Sequence, residues 1–197
     1  MTKGSLFVIS GPSGTGKGTV CTELLKEENI FLSVSATTRD KRLGETEGVT
    51  YYYISSDKFS EMIESGEMLE YAKYGANYYG TPKKAVTDML DSGKNVILEI
   101  EPQGALQVKK LMPDAVLIFI LPPSIEELRK RLKGRGREAA GEIEERISAA
   151  KWEFSKAYEY NYVIINDDLT KCVRETLDII NATNDKRRLI DKLLKEI

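Results

Sequence analysis

The residues whose types and spacing most plainly specify chemistry are Gly11, Pro12, Ser13, Gly14, Thr15, Gly16, Lys17, Gly18 and Thr19, directly after the apolar run Ser5-Leu-Phe-Val-Ile-Ser10. The order reads as strand, phosphate-binding loop, helix. Phosphate oxygens are held by successive backbone N–H groups pointing inward, and only residues without bulky side chains let the main chain approach that closely. Lys17 adds a point charge against the outer phosphates, and the helix from about Gly18 adds its partial positive N-terminus. Gly18 stands where a Ser or Thr hydroxyl would meet Mg²⁺, and Thr19 follows one position late. That departure argues against direct ligation of the metal by the protein. The flanking strand and helix, with Lys17 in place, favour this reading over a plain strand-to-helix turn.

Two further cationic sets accompany the loop. Arg39 and Arg42 lie in a polar stretch with Glu45 near enough in sequence to orient one of them, and Tyr51 and Tyr79 supply phenolic donors. Arginine forks and tyrosine hydroxyls suit a phosphate monoester. Taken alone, a loop of this composition is more often a solvated surface. Arg131, Arg135, Arg137 and Arg146 surround glycines, as expected of a lid that brings arginines over transferring phosphates and excludes water. A nucleic-acid patch is the competing reading of that basic run. It lacks interleaved aromatics, and 29 Lys and Arg against 31 Asp and Glu give a net charge of -2, so neither nucleic acid nor an anionic membrane is an expected partner. The chain contains no histidine, which excludes imidazole acid–base catalysis and Ser-His or Cys-His nucleophiles.

The elements that must position these groups follow from the rest of the chain. With 197 residues, 41% of them hydrophobic, it is long enough for one compact domain with a substantial core. Cys21 and Cys172 lie far apart, and no signal peptide or membrane span is evident, so a reduced cytoplasmic setting is expected. The first helix should run to about Lys26, followed by a strand over Ile30–Ser35. Thr37–Gly48 should be an exposed loop. Val49–Thr81 carries tyrosine-rich strands around a helix from about Asp57 to Glu64, stopped by Gly66. Helices are expected over Lys83–Asp91 and Gln103–Leu111, and buried parallel strands over Asn95–Glu101 and Ala115–Leu121. Glu99 and Glu101 close the first of these strands, at the end that faces a site in such sheets. Ser124-Ile-Glu-Glu127 has capping-box spacing at the start of the basic helix, and a long amphipathic segment runs from Glu142 to about Tyr158. Tyr162–Ile165 is the last strand, with Asp168 capping the C-terminal helix or helices. The sum is an α/β three-layer fold, a parallel sheet of about five strands interrupted by a tyrosine-rich insert and a basic one.

Six stretches in this order resemble guanylate kinase over essentially the whole chain. They are the Gly11–Lys17 loop, Ser33–Arg39 with Arg42, Gly44 and Glu45, Asn77–Gly80, Leu98–Glu101 with Gln103 and Gly104, Gly134–Gly136, and Ile165–Asp168. The resemblance implies a P-loop nucleoside monophosphate kinase fold with a core (1–34, 82–125 and 153–197), a GMP-binding insert (35–81) and a lid (126–152). It implies transfer of the γ-phosphoryl group of Mg-ATP to GMP, and by extension dGMP, with Mg²⁺ carried by ATP. ATP would meet residues 11–19 and Arg137. Lys17, Arg131, Arg135 and Arg146 would be catalytic.

The resemblance also carries the GMP phosphate onto Arg39, Arg42, Tyr51 and Tyr79, with Glu45 orienting the arginines, and the base onto Ser35, Glu70, Thr81 and Glu101, with Glu99 nearby. The chemistry is consistent. A carboxylate at Glu70 accepts from guanine N1–H and its exocyclic amine, while Ser35 and Thr81 hydroxyls donate to O6. Glu101 departs from the Asp more usual in that family, and Arg137 from a small polar residue. No general base is required, since a phosphate monoester with a second pKa near 6 is already largely ionised at neutral pH. Three other readings are less consistent with the sequence. Another nucleoside monophosphate kinase conflicts with the tyrosine-rich insert and Glu70, and a GTPase would need an Asn-Lys-x-Asp motif that is missing. A non-catalytic protein-binding module would tend to have lost the glycines and Lys17 of the loop.

Overall fold

The computed structural model describes residues 3–134 and 140–194. Leu6–Ser10 forms β1, buried along its whole length, as a fully apolar strand must be when both faces of its sheet are covered. It lies at the centre of a parallel sheet with β2 (Ile30–Leu32), β7 (Asn95–Glu99), β8 (Val116–Leu121) and β9 (Tyr162–Ile165), in the order β2-β7-β1-β8-β9. Alternation along β1 divides the core. Phe7 and Ile9 pack with Val20, Cys21 and Leu24 of α1 (Lys17–Leu24) and with Cys172 and Ile180 of α7 (Leu169–Leu194). Leu6 and Val8 pack with Val86 and Leu90 of α3 (Lys83–Asp91) and Ala105 and Val108 of α4 (Pro102–Leu111). This is the expected three-layer α/β arrangement.

A second, mixed sheet stands beside the first. It is built from β3 (Ala36–Thr37), β4 (Tyr52–Tyr53), β5 (Met68–Tyr74) and β6 (Asn77–Pro82), in the order β4-β3-β6-β5. The helix α2 (Ser56–Glu64) covers it with Phe59, and Ser55 caps α2 by accepting from Lys58 N at 3.2 Å. On the other flank, α5 (Ile125–Gly134) and α6 (Ala140–Lys156) share a small apolar core of Leu128, Leu132, Ile143, Ile147 and Ala150.

Several boundaries differ from the sequence expectations. The strand expected over Ile30–Ser35 stops at Leu32, because after the Ser33 N–H bonds Ile97 O at 2.9 Å the chain crosses to the second sheet, where Ser35 O accepts from Tyr52 N. Thr37, expected in an exposed loop, is a fully buried strand residue. Its hydroxyl donates to Tyr78 O at 3.0 Å and accepts from Arg39 N at 3.2 Å, so burial leaves no polar group unpaired. The strand Asn95–Glu101 ends at Glu99, since Glu101 N-caps α4 ahead of Pro102. The first helix stops at Leu24 rather than Lys26. Ser124 does cap α5, accepting from Glu127 N at 3.1 Å, but the Glu127 carboxylate turns to Arg131 at 3.0 Å, and that ion pair replaces the second half of the box. Asp168 accepts from Lys171 N at 2.8 Å at the head of α7, which within the described residues is a single helix.

Candidate active site

The phosphate loop follows β1 where the parallel strands end. Gly11, Gly14 and Gly16 hold φ of 143°, 90° and 90°, a region closed to most side chains, and so turn the chain sharply enough to aim its amides inward. Gly14 is also a contact surface: a Cβ there would stand 3.0 and 3.1 Å from methyls of Leu132 and Leu128, so α5 rests directly on the loop. Gly16 N-caps α1 without a side-chain hydrogen bond, which leaves the first amides of the helix to a ligand. Lys17 curls back over the loop and donates to Gly11 O at 2.5 Å and Pro12 O at 2.9 Å. Burial pushes its pKa down, and the charges of Glu99, Glu153 and Glu101 oppose that. Thr15 is buried and bonds Pro12 O, and Asn166 donates to Thr15 O at 2.8 Å from the end of β9.

A cavity of about 290 Å³ opens beside the loop, between the two sheets. Ser13 and Arg146 line one end, and Arg146 donates to Ser13 Oγ at 2.8 Å, so α6 reaches the loop through this arginine. Ser35, Arg42, Tyr51 and Tyr79 line another part, and Glu70, Glu99 and Glu101 a third. Residues some 130 positions apart in the chain thus share one concave surface. Arg131 is held at the loop's edge, with Nε on Glu127 at 3.0 Å and Nη2 on Asn166 O at 3.0 Å. Arg135 and Arg137 lie outside the described residues.

On the phosphate-monoester side, Glu45 is a hub. Its Oε1 accepts from Arg39 Nη2 at 2.7 Å, and its Oε2 from Arg42 N at 2.8 Å and Tyr53 OH at 2.8 Å. The Arg39 guanidinium, the Arg42 amide and the Tyr53 hydroxyl together hold the carboxyl down to about pH 2. Arg39 also lies 5.6 Å and 5.9 Å from the ring centres of Tyr51 and Tyr53. Glu45 therefore orients Arg39 through its side chain but Arg42 only through its backbone; Arg42, Tyr51 and Tyr79 line the cavity, and Arg39 pairs with Glu45 beside them. Tyr53 was missed by sequence reasoning, because a third tyrosine in a run of three carries no signal of its own.

Glu70 and Thr81, cross-strand partners on β5 and β6, form the buried end, 4% and 1% exposed. Thr81 Oγ1 donates to Glu70 Oε1 at 2.6 Å. Burial pushes the Glu70 carboxyl up to about 7, against the opposing bonds from Thr81. Glu153 was also missed, being one of several glutamates along α6. Half-buried and close to Glu101 and Lys17, it too is pushed up to about 7, first by burial and then by Glu101. Asn166 enters the sequence reading only as part of the Ile165–Asp168 stretch, with no role of its own, yet it braces both the loop and Arg131.

The comparisons with known proteins agree with this geometry. The family model described as "Guanylate kinase" matches residues 3–183. The chain is 54% identical over 185 residues to a guanylate kinase of Clostridioides difficile, covering 93% of this chain and 90% of that one. It is 50% identical over 192 residues to one from Halalkalibacterium halodurans, covering 96% and 94%. The crystal structure of a guanylate kinase from Anaplasma phagocytophilum superposes with a TM-score of 0.76 at 37% identity, over 92% of this chain and 86% of that one.

Proposed function

The chain belongs to the guanylate kinase family and is an ATP:GMP phosphotransferase, and from that premise we propose that the cavity between the sheets holds GMP with its phosphate turned toward the loop that holds ATP. The observation that carries this reading is that Ser13 of the loop and Arg146 of α6 line the same cavity as Ser35 and Glu70. In-line transfer needs donor and acceptor phosphates to meet in one space, and a cavity lined from both sides supports its being that space.

In this reading 35–81 is the acceptor-binding insert and 126–152 the lid. The loop amides and Lys17 hold the ATP phosphates. Arg39, Arg42, Tyr51 and Tyr79 hold the GMP phosphate, with Arg39 oriented by Glu45. Arg131, Arg135 and Arg146 neutralise charge on the transferring group, and Arg137 contacts ATP. Glu70 accepts from the guanine N1–H and amine, and Ser35 and Thr81 serve the base edge, with Thr81 exchanging its bond to Glu70 for one to the ligand. Glu101 and Glu99 flank the acceptor. Mg²⁺ travels with ATP as part of the substrate and neutralises β- and γ-phosphate charge. The residues present suit that arrangement: Gly18 offers no hydroxyl, and beside it the Glu99 carboxylate, 3.5 Å from where a Cβ would stand, is a hard oxygen acceptor for a hydrated cation. No protein base takes part, because the attacking phosphate oxygen is already ionised.

The test is ADP formation from Mg-ATP with GMP, dGMP, AMP, UMP and dTMP as separate acceptors. Turnover confined to GMP and dGMP is expected. Turnover with AMP at a comparable rate would overturn the roles of Ser35, Glu70 and Thr81.

A further inference from the structure

Glu70 keeps its place in the cavity because of a residue on a different element. Gly104 sits in the first turn of α4, and a Cβ built on it would stand 2.3 Å from Glu70 Oε2 and 3.0 Å from its carboxyl carbon. No side chain fits there while the carboxylate is where it is. We propose that Gly104 is a specificity-determining positioning residue: the volume its missing side chain leaves is the seat of the Glu70 carboxylate, so this glycine sets how the acceptor base is read. The inference rests on the reading of Glu70 as the guanine acceptor.

The surrounding contacts decide which partner yields when that volume is filled. The helix cannot retreat, because Ala105 and Val108 of α4 are fully buried against Leu6, Val8 and Leu98. Nor can β5 swing outward, because Gln107, one turn along α4, donates to Tyr71 O at 2.8 Å and accepts from Tyr71 N at 3.3 Å. That amide holds strand and helix at fixed spacing next to Glu70. What remains free to move is the end of the Glu70 side chain, whose Oε1 is held by Thr81. A methyl at position 104 therefore displaces the carboxylate and leaves the backbone in place. Alanine is also the better helix former, so the substitution does not weaken α4 itself.

The experiment compares Gly104→Ala, Glu70→Gln, Glu70→Asp and the Gly104→Ala/Glu70→Asp double variant in the full chain. The readouts are kcat, KM for GMP, KM for ATP and the melting temperature. Gly104→Ala is expected to raise KM for GMP roughly 10-fold or more, the effect of losing a hydrogen bond to a charged group. Its kcat, KM for ATP and melting temperature stay near those of the parent. Aspartate withdraws the carboxylate by about 1.5 Å, one carbon–carbon bond. Adding Gly104→Ala to Glu70→Asp should then raise KM far less than it does in the parent, a non-additivity expected of groups that compete for one volume. If Glu70→Gln raises KM for GMP and Gly104→Ala does not, the inference is overturned while the reading of Glu70 stands. If Glu70→Gln leaves KM unchanged, both fall. A fall in melting temperature with a parallel rise in KM for ATP would assign Gly104 a merely structural role and also overturn the proposal.

Discussion

In the proposed arrangement the donor end of the cavity relies chiefly on main-chain amides, with Lys17 and Arg146 beside them, whereas the acceptor-base end relies chiefly on the side chains of Glu70 and Thr81. The loop owes its shape to Gly11, Gly14 and Gly16 at positive φ, with Lys17 folded over it and Asn166 bracing it from β9. The base pocket owes its shape to Glu70 and Thr81, brought together by pairing of β5 with β6 and roofed by the bare backbone of Gly104. Main-chain amides have no titration and little rotamer freedom, so in the proposed arrangement the amide part of the donor site does not depend on pH. A buried carboxylate must be ionised and correctly turned to work, so in the same arrangement the base pocket would carry the selectivity and, with it, the sensitivity to pH and to neighbouring volume. The two ends should therefore fail in different ways.

The sharpest way to break that contrast is Lys17→Ala. The ammonium lies over the loop on Gly11 O and Pro12 O and is the cation nearest the donor phosphates in the proposed arrangement. Its removal should lower kcat by about 10³, by analogy with other cations that act on transferring phosphoryl groups. Affinity for GMP, measured by calorimetry, should change less than about 3-fold, since the base pocket is not touched. A large loss of GMP binding would show that the two ends are one electrostatic unit.

Glu70→Gln should do the reverse. A buried hydrogen bond to a charged acceptor contributes about 1.5–3 kcal/mol, so KM for GMP should rise about 10²-fold while KM for ATP holds. Glutamine presents an N–H₂ toward guanine donors, and one donor is left unpaired in the pocket. Steady-state kinetics with each substrate varied in turn checks this. Loss of affinity for both nucleotides would erase the contrast.

How much of this was legible in the sequence follows the same division. The loop could be read directly, because glycines that allow positive φ and a following lysine are local features of nine consecutive residues. The five-stranded sheet was legible from apolar runs, each long enough to be a buried strand. The base pocket was not readable from residue types: Glu70 and Thr81 are eleven positions apart across a hairpin with a register shift between Met68 and Glu70, and only resemblance to a family singled them out. Thr37 was misjudged because a hydroxyl in a polar stretch gives no hint that Tyr78 O and Arg39 N will satisfy it in a buried strand. The roles of Tyr53, Glu153 and Asn166 are illegible for the same reason, since their importance lies in partners on other elements, even though Asn166 stands in one of the six resembling stretches.

The pH dependence sharpens the comparison at smaller amplitude. Burial raises Glu70 from an ordinary 4.5 to about 7, so between those values the folded chain holds a proton that the unfolded chain does not. In that window stability falls as pH rises, and above about pH 7 the free enzyme carries a buried carboxylate ready for guanine. Affinity for GMP should accordingly tighten by roughly 5- to 10-fold from pH 6 to pH 8, beyond the gain from ionisation of the GMP phosphate itself. Glu70→Gln serves as the control and should keep only the phosphate's share. ATP binding at the loop should lack the Glu70 component altogether. An identical pH profile in parent and variant would remove Glu70 from the pocket's chemistry.

The smallest effect tests the support behind the acceptor phosphate. Tyr53 donates to Glu45 Oε2 at 2.8 Å, on the carboxylate whose other oxygen holds Arg39, and its ring lies 5.9 Å from that guanidinium. Tyr53→Phe keeps the ring and removes one of several bonds to Glu45, so Arg39 stays paired but less tightly oriented. KM for GMP should rise about 2- to 4-fold, less than the direct loss of a bond to a charged acceptor because the phenol acts on the phosphate only through Glu45 and Arg39, with kcat and KM for ATP unchanged. Glu45→Gln removes the charge that Arg39 pairs with and should cost more than Tyr53→Phe on the same readout. If the order were reversed, the phenol itself would be the phosphate ligand and Glu45 only its neighbour. The acceptor side would then bind phosphate through hydroxyls as much as through arginines, bringing it closer in kind to the uncharged amides of the donor loop.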